Sequence, residues 1–308
     1  MMPIVTTIVL NWRRADDSLR CIASLRGLTY PSHQIVFVDN GSRDGSLEQV
    51  AAAYPDILTL QTGENQGYAG GNNVGLRRAL DDAAEYILVL NNDTTVDSAL
   101  LDHLVAFAQS HPGLGAATPK ILDLNGPNTV WSAGCDLDMV SVQPAQRGTG
   151  QVDDGSFDAS APSDYAVGAA LFMTRSALEQ VGLFDEDYFL VFEDLDWSIR
   201  ARRAGFEIWY VPTARVWHRG SASFGATSNA SDEYRYYWTR NALLFVRRHV
   251  APPARWIAYA RLLIRWTRYA AHWWRSDRAM ARALTPAMVA GIVDFGRGRF
   301  GARRRATR

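Results

Sequence analysis

The sequence contains little cysteine, and it has no hydrophobic run long enough to cross a membrane. Its 308 residues include only Cys21 and Cys135, too few for a disulfide framework or a cysteine-based metal site. A membrane-spanning helix needs about 18 uncharged apolar residues in succession, and the first residues show no basic segment or cleavage site of a secretory signal. We therefore expect a protein of the reducing cytoplasm.

The chain also lacks a net charge, but its charges are unevenly placed. Residues from Tyr234 onward hold 17 arginines and two acidic residues, which leaves 15 basic and 30 acidic side chains in residues 1–233. Five of the ten tryptophans lie in the same C-terminal part. This asymmetry predicts a larger region of residues 1–230 and a basic helical region of residues 231–308, whose partner is an anionic membrane or nucleic acid.

Short apolar runs alternate with amphipathic segments in the larger region. Such alternation predicts right-handed βαβ units and an α/β fold with a mostly parallel central sheet. The predicted strands are residues 4–10, 34–38, 57–61, 86–90, 116–118, 129–131, 165–173, 207–211 and 214–218. The predicted helices are residues 16–28, 46–53, 97–109 and 175–181, and residues 136–164 form an irregular insertion.

No Gly-x-Gly-x-x-Gly motif follows the first strand, which argues against a dinucleotide-binding fold. Asn11-Trp12-Arg13-Arg14 stands at that position instead. The second strand ends at Asp39, where an acidic residue can bind a ribose. Asp39-Asn40-Gly41 is also a strong turn sequence, so local reasoning leaves a ligand contact and a plain Asx turn equally open.

The apolar run of residues 86–90 stops at Asn91-Asn92-Asp93. Ligands bind outside the carboxyl ends of strands in open α/β sheets, and a carboxylate there can hold a hard cation that in turn binds a diphosphate. The alternative is a turn that caps the next helix.

Residues 65–75 contain four glycines and three asparagines. This composition predicts a loop followed by a helix whose first N–H groups can bind an anion. A flexible loop with an asparagine cap is the alternative.

Three acidic residues, Glu193, Asp194 and Asp196, open another predicted helix. The helix dipole alone would favour acids in this turn. They follow an aromatic run, however, where a carboxylate can be kept dry enough to act as a base. His218 ends the last predicted strand, and a single histidine there is more often structural than a ligand.

Taken in order, these motifs resemble the family 2 glycosyltransferases of the GT-A fold, most closely the bacterial rhamnosyltransferase-like subgroup. The resemblance covers about residues 4–250. It is carried by Val38-Asp39-Asn40-Gly41-Ser42-x-Asp44, Asn65-x-Gly67-Tyr68-Ala69-Gly70-Gly71-Asn72-Asn73-x-Gly75 and Leu90-Asn91-Asn92-Asp93.

The resemblance implies a role for several residues. Asp39 contacts the nucleobase, Asn11 lies by the nucleotide, and Asp93 is the acid of the family's metal-binding Asp-x-Asp motif. His218, which heads a segment similar to the family's His-x-Gly-Ser, completes a site for Mg²⁺ or Mn²⁺, and Asp194 removes the acceptor proton. Further donor-binding residues are Asn40, Asn65, Gly67, Gly71, Asn73 and Asn92, and the acceptor or supporting residues are Glu193, Asp196 and Trp197.

One residue departs from the family pattern, because Asn91 stands in place of the first aspartate of Asp-x-Asp. An amide oxygen still ligates a hard cation but brings no charge, which predicts a lower metal affinity. The same Asn-Asn-Asp occurs in the subgroup that the chain resembles.

The implied activity is inverting transfer of a sugar from a nucleotide-diphosphate donor to a glycan or polyprenyl-linked acceptor in cell-surface polysaccharide synthesis. Rhamnose is the sugar that the resemblance to the subgroup implies. Residues 1–97 would form the donor half and residues 98–230 the acceptor half. Thymidine or uridine donors are expected to bind better than guanosine ones. A catalytically silent sugar-nucleotide or glycan-binding protein is the alternative, and nucleic-acid binding rests only on the arginine-rich end.

The C-terminal region predicts an amphipathic helix that begins after Pro252-Pro253. At about 100° per residue, its basic and aromatic residues fall on opposite faces. The basic face holds Arg261, Arg265, Arg268, His272 and Arg275, and the aromatic face holds Trp256, Tyr259, Leu263, Trp266, Ala270 and Trp274. Such a helix either packs on the catalytic region or lies peripherally on the inner face of the cell membrane, where a second segment at 279–295 would join it.

Overall fold

The structure is a computed structural model and describes residues 2–220 and 231–304. Within these residues the chain forms twelve strands and nine helices. The strands are β1 (Val5–Asn11), β2 (His33–Asp39), β3 (Leu58–Gln61), β4 (Tyr86–Asn91), β5 (Thr94–Val96), β6 (Leu114–Asp123), β7 (Val130–Ser132), β8 (Cys135–Asp138), β9 (Gln143–Gln146), β10 (Ala161–Pro162), β11 (Ala170–Thr174) and β12 (Glu207–His218). The helices are α1 (Ala15–Leu25), α2 (Ser46–Ala53), α3 (Gly67–Asp81), α4 (Leu100–Ser110), α5 (Arg175–Val181), α6 (Glu193–Arg203), α7 (Asp232–His249), α8 (Ala254–Ser276) and α9 (Arg278–Gly296).

The central sheet has the strand order β10-β12-β6-β11-β4-β1-β2-β3. Its strands β1 to β4 are parallel, as predicted, and β11 runs antiparallel to β4 and β6. The chain builds outward from β1 to β3 and then returns to place β4 on the other side of β1. This change of direction opens a crevice at the carboxyl ends of β1 and β4, which is where open α/β sheets bind ligands.

The loop predicted over residues 65–75 is wrong for most of its length, because α3 already begins at Gly67. Two of its glycines pack directly on β1. A Cβ atom at Gly71 would lie 2.6 Å from Leu10 Cδ1, and one at Gly75 would lie 2.5 Å from Ile8 Cγ2. These glycines therefore allow close helix–sheet packing, a role that the prediction of an anion-binding loop did not include.

The strand predicted over residues 165–173 is shorter than expected. Two N–H groups before β11 donate to side chains of α6 and not to a neighbouring strand: Ala166 to Ser198 Oγ at 3.2 Å and Gly168 to Asp194 Oδ2 at 2.8 Å. Sheet pairing consequently starts only at Ala170.

The two strands predicted at 207–211 and 214–218 form one strand, β12. Its register against β6 shifts between Val211 and Arg215. The irregularity contains Pro212, whose missing N–H cannot join a ladder of hydrogen bonds. The sequence pattern therefore correctly indicated an interruption between residues 211 and 214. The structure shows that this interruption is a bulge inside one strand and not a gap between two strands.

The insertion at 136–164 is more ordered than predicted, since it contributes to the two-stranded sheet of β8 and β9 and contains β10. The fully buried Lys120 of β6 pairs with Asp153 at 2.7 Å and also with Asp158. A buried ammonium group needs such partners, so these contacts fix part of the insertion to the sheet.

Both cysteines are free and buried. Cys21 Sγ lies 3.7 Å from the Asn91 carbonyl oxygen and from Thr94 Oγ1, and the Cys135 N–H donates to Ser163 Oγ. Burial raises the pKa of each thiol to about 12.

The chain divides into two compact units. The first contains residues 2–136, 145–185 and 194–220, and the second contains residues 137–144, 186–193 and 231–304. The second unit therefore combines the three C-terminal helices with two short segments from earlier in the chain. No helix of the described residues is both long and apolar enough to cross a membrane.

The faces predicted for α8 are partly wrong. Its buried stripe is Ala258, Leu262 and Trp266, the last only 1% exposed. Arg265, assigned to the basic face, is half-buried and donates to the carbonyl groups of residues 141 and 142. The helix carries apolar residues on two faces, so periodicity alone could not decide which one is buried.

Candidate active site

The carboxyl ends of β1 and β2 carry a closed network of polar side chains. Asn11 and Asp39 are direct neighbours in the parallel register, and Asn11 Nδ2 donates to Asp39 Oδ1 at 2.9 Å. The Ser42 N–H donates to Asp39 Oδ2 at 3.1 Å, and the Ser42 hydroxyl accepts from Asn11 Nδ2 at 3.1 Å. All three residues are buried. Two predicted donor residues thus come together, already oriented by the protein.

The end of β4 joins this network through Asn92. Its Nδ2 donates to Ser18 Oγ at 3.0 Å and to Asn11 Oδ1 at 3.2 Å, and Ser18 Oγ donates to the same Asn11 oxygen. Sequence analysis missed Ser18. The available signal was its position on α1, where it shares the buried face with Ile22 and Leu25 and an apolar residue is expected.

Asn40 and Asn65 shape the turn that enters α3. Asn40 Nδ2 donates to Asn65 Oδ1 at 3.1 Å and to the Gly67 carbonyl at 2.9 Å, and Asn65 Oδ1 accepts from the Gly67 N–H at 2.8 Å. Gly67 has φ of +73°, a backbone conformation that favours glycine. These contacts give all three residues a structural role beside the crevice, and their contact with a donor stays a prediction.

Asn73 has a structural role that the sequence did not reveal. Its Nδ2 donates to the Phe184 carbonyl at 2.9 Å, and its Oδ1 accepts from the Phe184 N–H at 3.0 Å. Together with the close packing of Gly71 on β1, this ties α3 to the rest of the first unit. Donor binding by Gly71 and Asn73 stays a prediction.

Asp93 and His218 lie side by side next to this network. His218 Nε2 is 3.0 Å from Asp93 Oδ1, and both side chains are 5% exposed. The antiparallel register of β5 and β12 pairs Thr94 with His218 and so brings them together. Asn91 Nδ2 lies 3.4 Å from the same nitrogen, and Trp131 packs edge-on against the imidazole. The serine of the predicted His-x-Gly-Ser segment, Ser221, lies outside the described residues.

This pair fits a hard divalent cation with few protein ligands. A carboxylate oxygen and an imidazole nitrogen converge, and His218 Nδ1 is buried with no hydrogen-bond partner in residues 2–220 and 231–304. Over the same residues, no three His, Cys, Asp or Glu side chains gather as a complete cage. Mg²⁺ sites typically use one or two carboxylates and take their remaining ligands from water and substrate phosphates.

A cluster of arginines beside Asp93 was not predicted. The Arg219 N–H donates to the Asp93 carbonyl at 3.0 Å, and Arg219 Nη1 lies 2.8 Å from Asp17 Oδ1. The buried Asp17 also pairs with Arg14 and Arg20. An aspartate in the first turn of α1 looks like an ordinary helix-start acid, so its sequence position alone does not single it out.

Asp194 is held by two backbone amides at the start of α6. Its Oδ2 accepts from the Gly168 N–H at 2.8 Å, and its Oδ1 accepts from the Leu195 N–H at 2.7 Å. The side chain keeps partial solvent access. Loss of hydration nevertheless raises the pKa of the Asp194 carboxyl, and the two N–H groups offset part of that rise. The Asp194 carboxylate is therefore accessible to a ligand and takes up a proton more readily than an ordinary aspartate does.

Gly168 connects Asp194 to the other parts of the site. The Tyr68 hydroxyl donates to the Gly168 carbonyl, and the neighbouring Ala169 carbonyl accepts from the Asn91 N–H at 3.0 Å. A Cβ atom at Gly168 would lie 2.9 Å from the Tyr68 hydroxyl, so any side chain at this position would have to displace that hydroxyl group. The base candidate is therefore anchored to the end of β4, which leads into Asp93. Sequence analysis missed both Tyr68 and Gly168.

The remaining predicted residues of α6 support its first turns. Asp196 Oδ2 accepts from Arg200 Nε at 2.8 Å, and Trp197 Nε1 donates to the Gly182 carbonyl at 2.8 Å in the core. Glu193 is buried as the first residue of the helix. Contact of Glu193, Asp196 or Trp197 with an acceptor stays a prediction.

This sheet, with its crevice at the carboxyl ends of β1 and β4, agrees with the GT-A fold that the motifs imply. Residues 3–241 match the family described as glycosyltransferase like family 2. The chain therefore belongs to glycosyltransferase family 2, as the motifs predicted.

Relatives within the family include two rhamnosyltransferases. The chain is 29% identical over 243 residues to the N-acetylglucosaminyl-diphospho-decaprenol L-rhamnosyltransferase of Mycobacterium tuberculosis, which covers 73% of this chain and 79% of that protein. It is 23% identical over 223 residues to the dTDP-rhamnosyl transferase RfbF of Shigella flexneri, which covers 71% and 72%. The rhamnosyltransferase-like assignment is confirmed.

A solved structure supports the fold. The mannosyltransferase PcManGT of Pyrobaculum calidifontis, solved in complex with GDP-Man and Mn²⁺, superposes with a TM-score of 0.58 at 17% sequence identity. The match covers 96% of this chain and 87% of that one. The predicted GT-A fold is confirmed.

Proposed function

We propose that this enzyme transfers a rhamnosyl group from a nucleoside-diphosphate donor to a hydroxyl group of a glycan or lipid-linked acceptor, with inversion at the anomeric carbon. The choice of sugar is supported by the names of both rhamnosyltransferase relatives. The lipid-linked acceptor is supported by the decaprenol-linked substrate in the name of the first. Synthesis of a cell-surface polysaccharide is the process such a product would enter.

The donor nucleotide is bound at the ends of β1 and β2. Asp39, held by Asn11 and Ser42, presents a fixed carboxylate that accepts an N–H of the base. Because the network is already formed, little ordering is needed when the nucleotide binds. Asn92 keeps Asn11 in place and lies one residue before Asp93, so nucleobase and diphosphate are recognised by adjoining groups.

Asp93 and His218 would hold Mg²⁺ or Mn²⁺, which neutralises charge on the diphosphate leaving group when bound. The protein adds positive charge of its own beside this pair. Arg219 is fixed between the Asp93 carbonyl and Asp17, and Arg14 shares the same aspartate.

Asp194 acts as the general base. It accepts the proton of the acceptor hydroxyl while that oxygen forms a bond to the anomeric carbon. The bond from this carbon to the diphosphate oxygen breaks on the opposite face, so the configuration inverts and no covalent sugar–enzyme intermediate forms. The raised pKa of Asp194 makes it a stronger proton acceptor than an ordinary aspartate.

The observation that carries this proposal is the Asp93–His218 pair, with its 3.0 Å separation, beside the Asn11–Asp39 network. The test measures nucleoside-diphosphate release from thymidine, uridine and guanosine diphosphate sugars, with and without polyprenyl-diphosphate-linked N-acetylglucosamine. We expect acceptor-dependent release from dTDP-rhamnose that stops when a chelator is added. Donor binding without any acceptor-dependent release would instead identify a silent sugar-nucleotide-binding protein.

We also propose that α8 attaches the enzyme peripherally to an anionic membrane surface. The helix exposes Trp256 (69%), Ile264 (58%) and Trp274 (46%). Arg261 and Arg268 are exposed along one border of this apolar face. Exposed tryptophan beside arginine is the composition of a helix that lies in the interface of a membrane, where each arginine adds attraction to anionic lipid. A lipid-linked acceptor would be reached from that surface.

A further inference from the structure

The segment that leads into α6 has a backbone conformation that side chains disfavour. Phe189, Val191 and Phe192 have φ angles of +63°, +60° and +79°. A β-branched residue such as Val191 is a rare occupant of this region. Strain of this kind persists only where surrounding groups enforce it, and it is concentrated at functional sites. The segment, residues 186–192, continues directly into Glu193 and Asp194.

Asn241 of α7 holds the carbonyl groups of this segment. Its Nδ2 lies 2.8 Å from the carbonyl oxygens of Tyr188, Leu190 and Val191. The first residue directly precedes the strained stretch and the other two lie within it, so one amide group holds three carbonyl groups of the segment. Asn241 is fully buried, and without these acceptors its amide would be costly to bury.

Arg240 completes the same set of contacts. Its Nη2 donates to the carbonyls of Asp187 and Tyr188 at 2.9 Å, and its Nη1 donates to the carbonyl of Gly301. Its Nε donates to Asn241 Oδ1 at 2.9 Å. Because an amide oxygen can only accept, this bond turns the Asn241 nitrogen toward the strained segment. Arg240 and Asn241 therefore form one hydrogen-bonded unit that holds the backbone carbonyl groups of the segment.

Aromatic packing holds the side chains of the segment on the same helix. Phe189 stacks on Tyr237 with ring centroids 5.1 Å apart, and Phe192 meets Trp238 edge-on at 5.1 Å. Both the backbone and the side chains of residues 186–192 are thus fixed by α7.

We infer that Arg240 and Asn241 are positioning residues of the transfer reaction. By holding the carbonyl groups of residues 187–191, they fix the path on which the chain enters α6 and thereby the orientation of Asp194. The inference rests on the proposed role of Asp194 as the base. It assigns to α7 a part in the reaction itself, which no motif of the sequence predicted.

Substitution of Asn241→Asp in the full-length enzyme is the direct test. Aspartate has the same shape and still accepts from Arg240, but it has no N–H group to hold the carbonyls. We expect kcat to fall about a hundredfold, the usual scale for a slight misplacement of a reacting group. The Kd for nucleoside diphosphate, measured by calorimetry, should remain that of the wild type, and so should the far-UV spectrum of the folded protein.

Two matched controls come from the same helix. Arg247 is exposed and stacks on Phe295 and Phe300, and Thr239 is buried. Arg247→Ala removes a guanidinium group and Thr239→Ala removes a buried polar atom, so they report on general disturbance of α7. Both should leave kcat unchanged.

A rescue experiment separates positioning from a merely structural contribution. Glycine adopts a positive φ without strain. Adding Val191→Gly to Asn241→Asp should therefore recover part of the lost kcat, and the midpoints of thermal unfolding of both variants show whether this recovery merely follows stability.

Wild-type kcat in folded Asn241→Asp would overturn the inference. If that variant does not fold, Arg240→Lys decides, because lysine keeps the charge but loses the forked donors: a lower kcat at unchanged nucleotide affinity supports the inference and an unchanged kcat rejects it. Failure of the base assignment is seen separately, as full transfer by Asp194→Asn.

Discussion

The donor edge, formed by the ends of β1, β2 and β4, and the strained segment of residues 186–192 hold their polar groups in different ways. At the donor edge, side chains such as Asn11 and Asp39 bond to one another and face the crevice. In the strained segment, backbone carbonyls are held by Arg240 and Asn241. The first arrangement fixes groups that bind a ligand, and the second fixes the chain that carries a reacting group. Substitutions of Asn11 and Asp39 should therefore act mainly on binding, and those at the start of α6 on the rate.

The largest effect is expected at Asp194. Asp194→Asn should lower transfer by about 10²- to 10⁴-fold, the usual scale for loss of a general base, because the amide cannot accept the acceptor proton. Donor affinity by calorimetry should stay unchanged. An equal loss of donor affinity would break the comparison, since the start of α6 would then also serve binding.

Loss of Asp93 should come next. Asp93→Ala removes the carboxylate of the proposed metal pair and should lower transfer by about 10²- to 10³-fold, as expected for loss of one electrostatic contact to the leaving group. In the wild type, Mn²⁺ should restore activity after chelation, but not in this variant. Calorimetry of Mn²⁺ binding provides a readout independent of turnover. Full activity of the wild type in excess chelator would reject the proposed dependence of transfer on a metal ion.

A smaller effect on binding is expected at Asp39. Asp39→Ala removes a charged hydrogen-bonding group from the nucleotide site and should raise the donor Kd by about 10- to 100-fold, with kcat nearly unchanged. The preference for thymidine or uridine over guanosine donors should weaken as well. An unaltered Kd would remove Asp39 from the donor site.

The dependence of the rate on pH should distinguish the same two regions. Asp194 must be deprotonated to act as a base, and burial raises its pKa. Transfer should therefore decline by about tenfold per pH unit as the pH falls below this raised pKa, at a higher pH than for an ordinary aspartate. This decline of the rate at low pH should persist in Asp39→Ala and should be absent from the residual activity of Asp194→Asn.

The smallest effect is expected on the exposed face of α8. Arg268→Gln should weaken co-sedimentation with anionic vesicles about fivefold, because each arginine near a charged surface contributes about 1 kcal/mol. Arg77→Gln, at an exposed position of α3, is the matched control. Negligible binding of the wild type to both anionic and neutral vesicles would reject the proposed attachment of α8 to a membrane surface.

The sequence correctly predicted that Asn11, Asp39 and Asp93 meet at one edge of the sheet, because each of them ends or follows its own strand. Asn11, Asp39 and Asp93 each end an apolar run, so topology alone brings them to one edge. Contacts that side chains of a helix make with neighbouring elements produce no such pattern in the sequence. Asp17 and Tyr68 could be found only once the packing of α1 and α3 was known, and the only signal for Ser18 was its place on the apolar face of α1.

The anchoring of the strained segment could not be predicted for a different reason. Asn241 lies about fifty residues from the carbonyls that it holds, and the acceptors are backbone atoms, which leave no trace in residue identity. The same limit applies to α8, where both helix faces are apolar and only tertiary packing decides that Trp266 is buried while Trp256 is not.

The two buried thiols make this enzyme suitable for native-state labelling. With a pKa of about 12, about one thiol in 10⁴ is ionised at pH 8, and each is shielded until the surrounding structure opens. Cys21 lies behind the turn that carries Asp93, and Cys135 lies at the start of the insertion. Their separate labelling rates therefore measure how often each of these two parts opens while the rest of the protein stays folded.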